Sequence, residues 1–257
     1  MGEDVIFEGY LKDVFFGEEV LLEDSFKRLS PYMICDGSAA VDSDTMAVFN
    51  IESYHEVYAS LLVFPDRLPV VSKKTTKELM ADYQKKLSLS YSIGKKLTKE
   101  LYGKAPYRFS YMNKKSQIIP LEGDVRKAAD YINLAYIKSF QKYSSYQVAL
   151  SFSTFFELVI PIQEKRFNNR CQTYFECFIC HAYMDKLINK DDTEFAPFKL
   201  WKGDLHKAFP ELILKAIERV ENSEVIHKRL FYEWAKSAPR HVVEESLDDF
   251  YYGDFDL

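Results

Sequence analysis

Short apolar runs, cut off by proline, glycine or polar turns, dominate the first half of this chain. Residues 46–49 and 58–64 are the clearest, and Pro65 and Pro69 end the second. Runs of this length are strands or pieces of buried helix, and periodicity alone does not separate the two. Residues 4–16 alternate loosely and read as one or two strands. Residues 75–87 and 92–102 read as helices, the second stopping near Gly103 and Pro106. Residues 107–119 alternate around Met112, Asn113, Lys114 and Lys115, which predicts a hairpin with the two lysines at its tip. Asp124 follows Gly123 as a good N-cap, and from there the pattern predicts helices over 125–143, 168–188, 207–220 and 224–237. Residues 146–162 fit either period.

The expectation is an α+β fold, β-containing to about residue 120 and packed on a largely helical second half. Residues 1–243 read as a single globular unit, with a sub-boundary near 120 left open, followed by a tail over 244–257. At 257 residues the chain is long enough to bury a substantial core without staples. The four cysteines show no spaced disulfide framework, which suits a reducing compartment. The chain begins acidic where a leader would be basic, and its longest apolar run, 148–162, is broken by polar residues and Pro161. The expectation is a cytoplasmic protein without a membrane partner.

Charge is segregated. Residues 1–24 carry eight acids against one lysine, whereas residues 73–115 carry twelve basic residues against three acids, a net of +9. Such a block attracts polyanions even though the whole chain is at −5. Lys73, Lys74, Lys85, Lys86, Lys95, Lys96, Arg108, Lys114 and Lys115 are the candidate phosphate contacts. Tyr91, Tyr107, Phe109 and Tyr111 interleave with them as candidate stacking rings. Cations for phosphates plus rings for bases is the chemistry of sequence-tolerant single-strand binding. The competing reading is a pair of solvated helix faces whose tyrosines point inward.

Two constellations suggest metal chemistry. Cys177, Cys180 and His181 match the Cys-x-x-Cys-His spacing of c-type haem attachment, but they lie in an apolar, aromatic stretch where cysteines pack as small hydrophobes. Glu52 with His55, and Glu224 with His227, have the Glu-x-x-His spacing of carboxylate-bridged di-iron bundles. The segment from Ile51 to His55, preceded by Asp36 and Gly37, resembles the ligand region of ribonucleotide reductase small subunits, which also end in acidic, aromatic docking peptides. That resemblance implies an iron cofactor, with Glu157 a candidate bridging ligand. No Gly-rich phosphate loop, nucleophile elbow or zincin motif is present, so no catalytic residue is assigned and no cofactor is expected from the leading reading.

The last fourteen residues, EESLDDFYYGDFDL, hold six carboxylates, four aromatic rings and no basic residue. Such a segment does not fold alone. It resembles the acidic C-terminal tails of bacterial and phage single-stranded DNA-binding proteins. The resemblance implies that Asp248, Asp249, Phe250, Tyr251, Tyr252 and Phe255 engage a partner protein, and that the carboxylates compete with nucleic acid for the basic block. The leading expectation is therefore a non-catalytic nucleic-acid-binding accessory protein, acting on single-stranded DNA, phage-encoded or replication-associated. The alternatives are an interaction or inhibitor protein that uses its acidic ends, including nucleic-acid mimicry, and a di-iron protein.

Overall fold

In a computed structural model, the structure describes residues 33–53, 55–87, 91–103, 110–121, 129–153, 157–188, 194–223 and 226. Four strands come first: β1 (Ile34–Cys35), β2 (Ala47–Asn50), β3 (Ser60–Val63) and β4 (Val70–Ser72). Helices α1 (Thr76–Gln84) and α2 (Tyr91–Tyr102) follow, then the hairpin of β5 (Tyr111–Asn113) and β6 (Ser116–Pro120). Strand β7 (Tyr131–Asn133) leads through a 3₁₀ turn (Leu134–Tyr136) into β8 (Ile137–Lys142), β9 (Val148–Phe152) and β10 (Glu157–Ile160). Helix α3 (Glu164–Ile188), a second 3₁₀ turn (Leu205–Ala208) and α4 (Pro210–Glu221) complete the order.

Seven strands form one sheet in the order β1-β4-β3-β2-β7-β6-β5, and β10-β9-β8 form a second. All pairs are antiparallel except β1 with β4. Alternation along the strands divides the large sheet between two cores. Phe49, Leu61, Val63, Val71, Met112, Ile119 and Ile132 point to one side, where they meet α2, α3, α4 and the small sheet. Val48, Leu62, Val70 and Ile118 point to the other, where Leu79, Met80 and Tyr83 of α1 cover them. A sheet buried on both faces explains why its strands read as short, nearly continuous apolar runs.

The α+β class holds, but the β part reaches Ile160 rather than residue 120. Where a helix is expected over 125–143, the described residues from 129 onward instead form β7, the 3₁₀ turn and β8. The cause is long-range: Ile132 pairs with both Ala47 and Ile119, and Asn133 ties the segment to its neighbours. The Asn133 Oδ1 accepts from the Gln117 and Ala135 amides, while its Nδ2 donates to the Thr45 carbonyl at 3.0 Å. These partners, invisible to local periodicity, outweigh helix propensity. The undecided stretch 146–162 is the β9–β10 hairpin.

Nor do Glu52 and His55 share a helix. The Glu52 amide donates to Asn50 Oδ1 at 3.1 Å, and His55 Nδ1 accepts from the Val57 and Tyr58 amides at 3.0 and 3.1 Å, so both residues are consumed by a turn after β2. Glu157 stands on β10 and bonds Ser151. The carboxylate–imidazole helix face required by the di-iron reading is therefore absent at Glu52/His55. Strands expected over 4–16, the helix over 224–237 apart from Ile226, the pair Glu224/His227 and the whole tail lie outside the described residues. Among the described residues, no helix is long and apolar enough to cross a membrane.

Candidate nucleic-acid interface

Helix α1 begins at a capping box. The Thr75 hydroxyl accepts from the Glu78 amide, and the Glu78 carboxylate accepts from the Thr75 amide at 2.8 Å. This fixes the phase of the helix: Leu79, Met80 and Tyr83 face the sheet, leaving Lys77 and Lys85 outward. Lys73 and Lys86, just outside the helix ends, are also exposed. Asp82 lies between two of the lysines, 2.9 Å from both Lys74 Nζ and Lys85 Nζ. Hydrogen bonds from Lys74 and then Lys85 hold its carboxyl down at about 2. Among the described residues, Lys73, Lys77, Lys86 and Lys115 have no ion-pair partner.

The β5–β6 hairpin has the tip expected of it. Asn113 pairs with Ser116, leaving Lys114 and Lys115 as the two-residue loop. The Asn113 Oδ1 accepts from the Lys115 and Ser116 amides at 2.8 and 3.0 Å, locking the turn with one side chain. The tip is also fastened to α1. The Tyr83 hydroxyl lies 2.8 Å from Ser116 Oγ and accepts from Asn113 Nδ2 at 2.8 Å. This fastens the end of α1, which carries Lys85 and Lys86, to the hairpin whose tip is the Lys114–Lys115 loop. On the other side of the hairpin, Lys114 Nζ reaches Asp185 of α3 at 3.4 Å.

The basic block is thus not one face. Lys95 and Lys96 belong to α2, whose Leu97 packs in the larger core, on the opposite side of the sheet from α1. The hairpin tip stands between the two groups, joined to α1 through Tyr83 and to α3 through Lys114. Tyr111 is half-buried on the α1 side, with its ring edge-on to Tyr131 at 6.1 Å. It packs the sheet. Tyr91 is the first residue of α2, and its side chain, like Tyr107, Arg108 and Phe109, lies outside the described residues. So do Asp248, Asp249, Phe250, Tyr251, Tyr252 and Phe255. Tyr83, whose anchoring role the sequence did not announce, carries one available signal: it stands four residues after Leu79 on an amphipathic helix, which is core spacing.

Cys177, Cys180 and His181 share the buried face of α3. Burial pushes the Cys180 thiol up to about 12 and lowers His181 to about 4, the latter opposed by Asp185 one turn further on. Phe175 and Phe178 of the same helix meet Phe198, Trp201 and Phe209 in an aromatic cluster, Phe178 to Trp201 at 4.8 Å. These are packing cysteines in an apolar layer. Among the described residues, no three His, Cys, Asp or Glu side chains gather where they could hold a metal ion.

The family model described as ComK protein matches residues 37–177, more than half of the chain, spanning β2 through β10 and the first half of α3. No curated protein and no solved structure matches. With its basic helix and hairpin inside the matched region, the chain belongs to the ComK protein family, a family of DNA-binding competence transcription factors.

Proposed function

We propose that this chain is a non-catalytic DNA-binding protein that grips the phosphate backbone with the lysines around the end of α1 and the β5–β6 tip. The observation that supports this reading is the Tyr83 anchor, which fastens the end of α1, with Lys85 and Lys86, to the hairpin whose tip carries Lys114 and Lys115. Lys73 and Lys77 extend the same surface toward the start of α1. Phosphate contacts position a protein on DNA without reading its sequence.

The finer reading is single-stranded DNA, with Tyr91, Tyr107 and Phe109 as the stacking rings and Tyr111 supporting the hairpin beneath them. Lys95 and Lys96 on α2 would then follow the strand past the tip. Residues 1–243 act as one globular body, a reading supported by a core cluster that runs from Met46 to Ile226. The tail over 244–257 is a partner-docking peptide whose carboxylates compete with DNA for the lysines.

The test is fluorescence anisotropy of labelled oligonucleotides, single-stranded and duplex, over a range of salt. Affinity for the single strand should fall steeply with salt, and deletion of residues 244–257 should raise it at low salt. Absence of binding at low salt would end the proposal. Equal affinity for both oligonucleotides would remove the single-strand preference alone.

A further inference from the structure

A second part of the surface combines lysines with rings, and here the rings are out in solvent. Residues 143–147 close the β8–β9 hairpin in a turn that satisfies itself. The Tyr143 and Ser144 amides both donate to the Gln147 carbonyl, at 3.0 and 3.2 Å, and the Ser144 hydroxyl bonds Gln147 Oε1 at 3.0 Å. The Tyr146 amide donates back to Ser144 Oγ at 3.3 Å. A turn so tied leaves its side chains no need to fold inward. Tyr143 is 47% exposed and Tyr146 71%, the highest value among the large hydrophobic side chains described as exposed.

The hairpin's own charge has one sign. From Ile137 to Phe152 the hairpin carries Lys138 and Lys142, both exposed, and no acid. A loop from the C-terminal part of the chain is pinned against its base: the Lys202 and Gly203 amides donate to the Ala135 carbonyl at 2.9 and 2.7 Å. A side chain at position 203 would run into the Ile137 backbone, so only glycine permits this approach. The loop brings Lys202 to the hairpin's base together with Asp204, which Lys207 binds at 2.8 Å and which also feels the charge of Lys138.

Exposed rings and exposed lysines on one hairpin, carried by a self-bonded turn, suit an anionic ligand with flat faces. We propose that the β8–β9 hairpin is a second DNA-contact element, in which Lys138 and Lys142 neutralise phosphates while Tyr143 and Tyr146 stack on bases. It rests on the DNA-binding reading above and extends it to a surface outside the basic block. Stacking on tyrosine is sequence-tolerant because every base presents a π-face.

The experiment uses the full chain and labelled oligonucleotides, single-stranded and duplex, with three variants: Tyr143→Ala/Tyr146→Ala, Tyr143→Phe/Tyr146→Phe, and Lys138→Gln/Lys142→Gln. All four side chains are exposed, and unchanged circular dichroism verifies the fold. The alanine pair should bind about thirtyfold more weakly, or worse, with an unaltered salt slope, and the phenylalanine pair should keep wild-type affinity, because stacking needs the ring and not the hydroxyl. The glutamine pair should flatten the salt slope by roughly 1.5. A loss confined to the single strand places the rings on unpaired bases, and a loss on both oligonucleotides places them as a wedge between base pairs. Variants indistinguishable from a wild type that binds DNA would overturn this element and leave the α1–hairpin surface standing. A wild type that binds neither oligonucleotide would overturn both.

Discussion

The hydroxyl of Tyr83 lies 2.8 Å from Ser116 Oγ, across the gap between the inner face of α1 and the start of β6. Burial pushes the phenol up to about 12, so it stays neutral and can donate to Ser116 while accepting from Asn113. One buried side chain thereby ties together two elements, each carrying a pair of lysines. The basic surface is a consequence of core packing.

Replacing Tyr83 with Phe leaves the ring in place and removes only this junction. The hydroxyl of Ser116, a fully buried residue, and the Asn113 amide group would each lose a partner, at a cost of about 1–3 kcal/mol. Urea unfolding should show that loss. Amide exchange at residues 113–116 should accelerate, and DNA affinity should drop although no charge has changed. Unchanged exchange at the tip would mean that Asn113 alone holds the turn.

Asp82 restrains Lys74 and Lys85 through two bonds of 2.9 Å. Because its carboxyl is held at about 2, chiefly by the Lys74 and then the Lys85 hydrogen bond, it stays charged at any pH at which the protein is used. Asp82→Asn should release both lysines and tighten DNA binding by roughly two- to fivefold, with a steeper salt slope. Weaker binding in this variant would show that Asp82 orients the lysines for phosphate instead of competing with it.

His181 gives stability a pH dependence. Burial lowers its folded value to about 4 from an ordinary value near 6.5, so the unfolded chain binds the proton first as pH falls. Its contribution is therefore intact above about 6.5 and is lost progressively as pH falls to about 4, reaching on the order of 3 kcal/mol. His206 is lowered too, by burial first, and adds in the same direction. Thermal unfolding between pH 7 and 4 should show a falling Tm, and His181→Gln should flatten most of that slope. A slope that survives the substitution would assign the effect to His206 and to carboxylates.

What the sequence disclosed about the site was local. The Lys114–Lys115 tip was legible because its strands alternate and Asn113 is a turn residue. The two-group division of the lysines was not, since it depends on which face of the large sheet α1 and α2 each cover. Residues 125–143 mislead for the same reason. Asp124 and the following Lys127, Ala128 and Ala129 look like a helix start, while the partners that make Ile132 and Asn133 a strand stand at residues 45–47 and 117–119. That misreading also hid β8 and Tyr143 inside an expected helix, while Tyr146 and β9 lay in the stretch 146–162 that fitted either period. The di-iron spacing at Glu52 and His55 dissolved into a turn, because three-residue separation is a helix face only when the backbone is helical.

The salt dependence of DNA affinity tests the central claim most directly. Each lysine that neutralises a phosphate contributes about 0.7 to 0.9 to the slope of log K against log salt. Changing Lys85, Lys86, Lys114 and Lys115 together to Gln should lower that slope by roughly three and weaken binding at low salt. A variant with the wild-type slope would contradict the assignment of this surface to DNA.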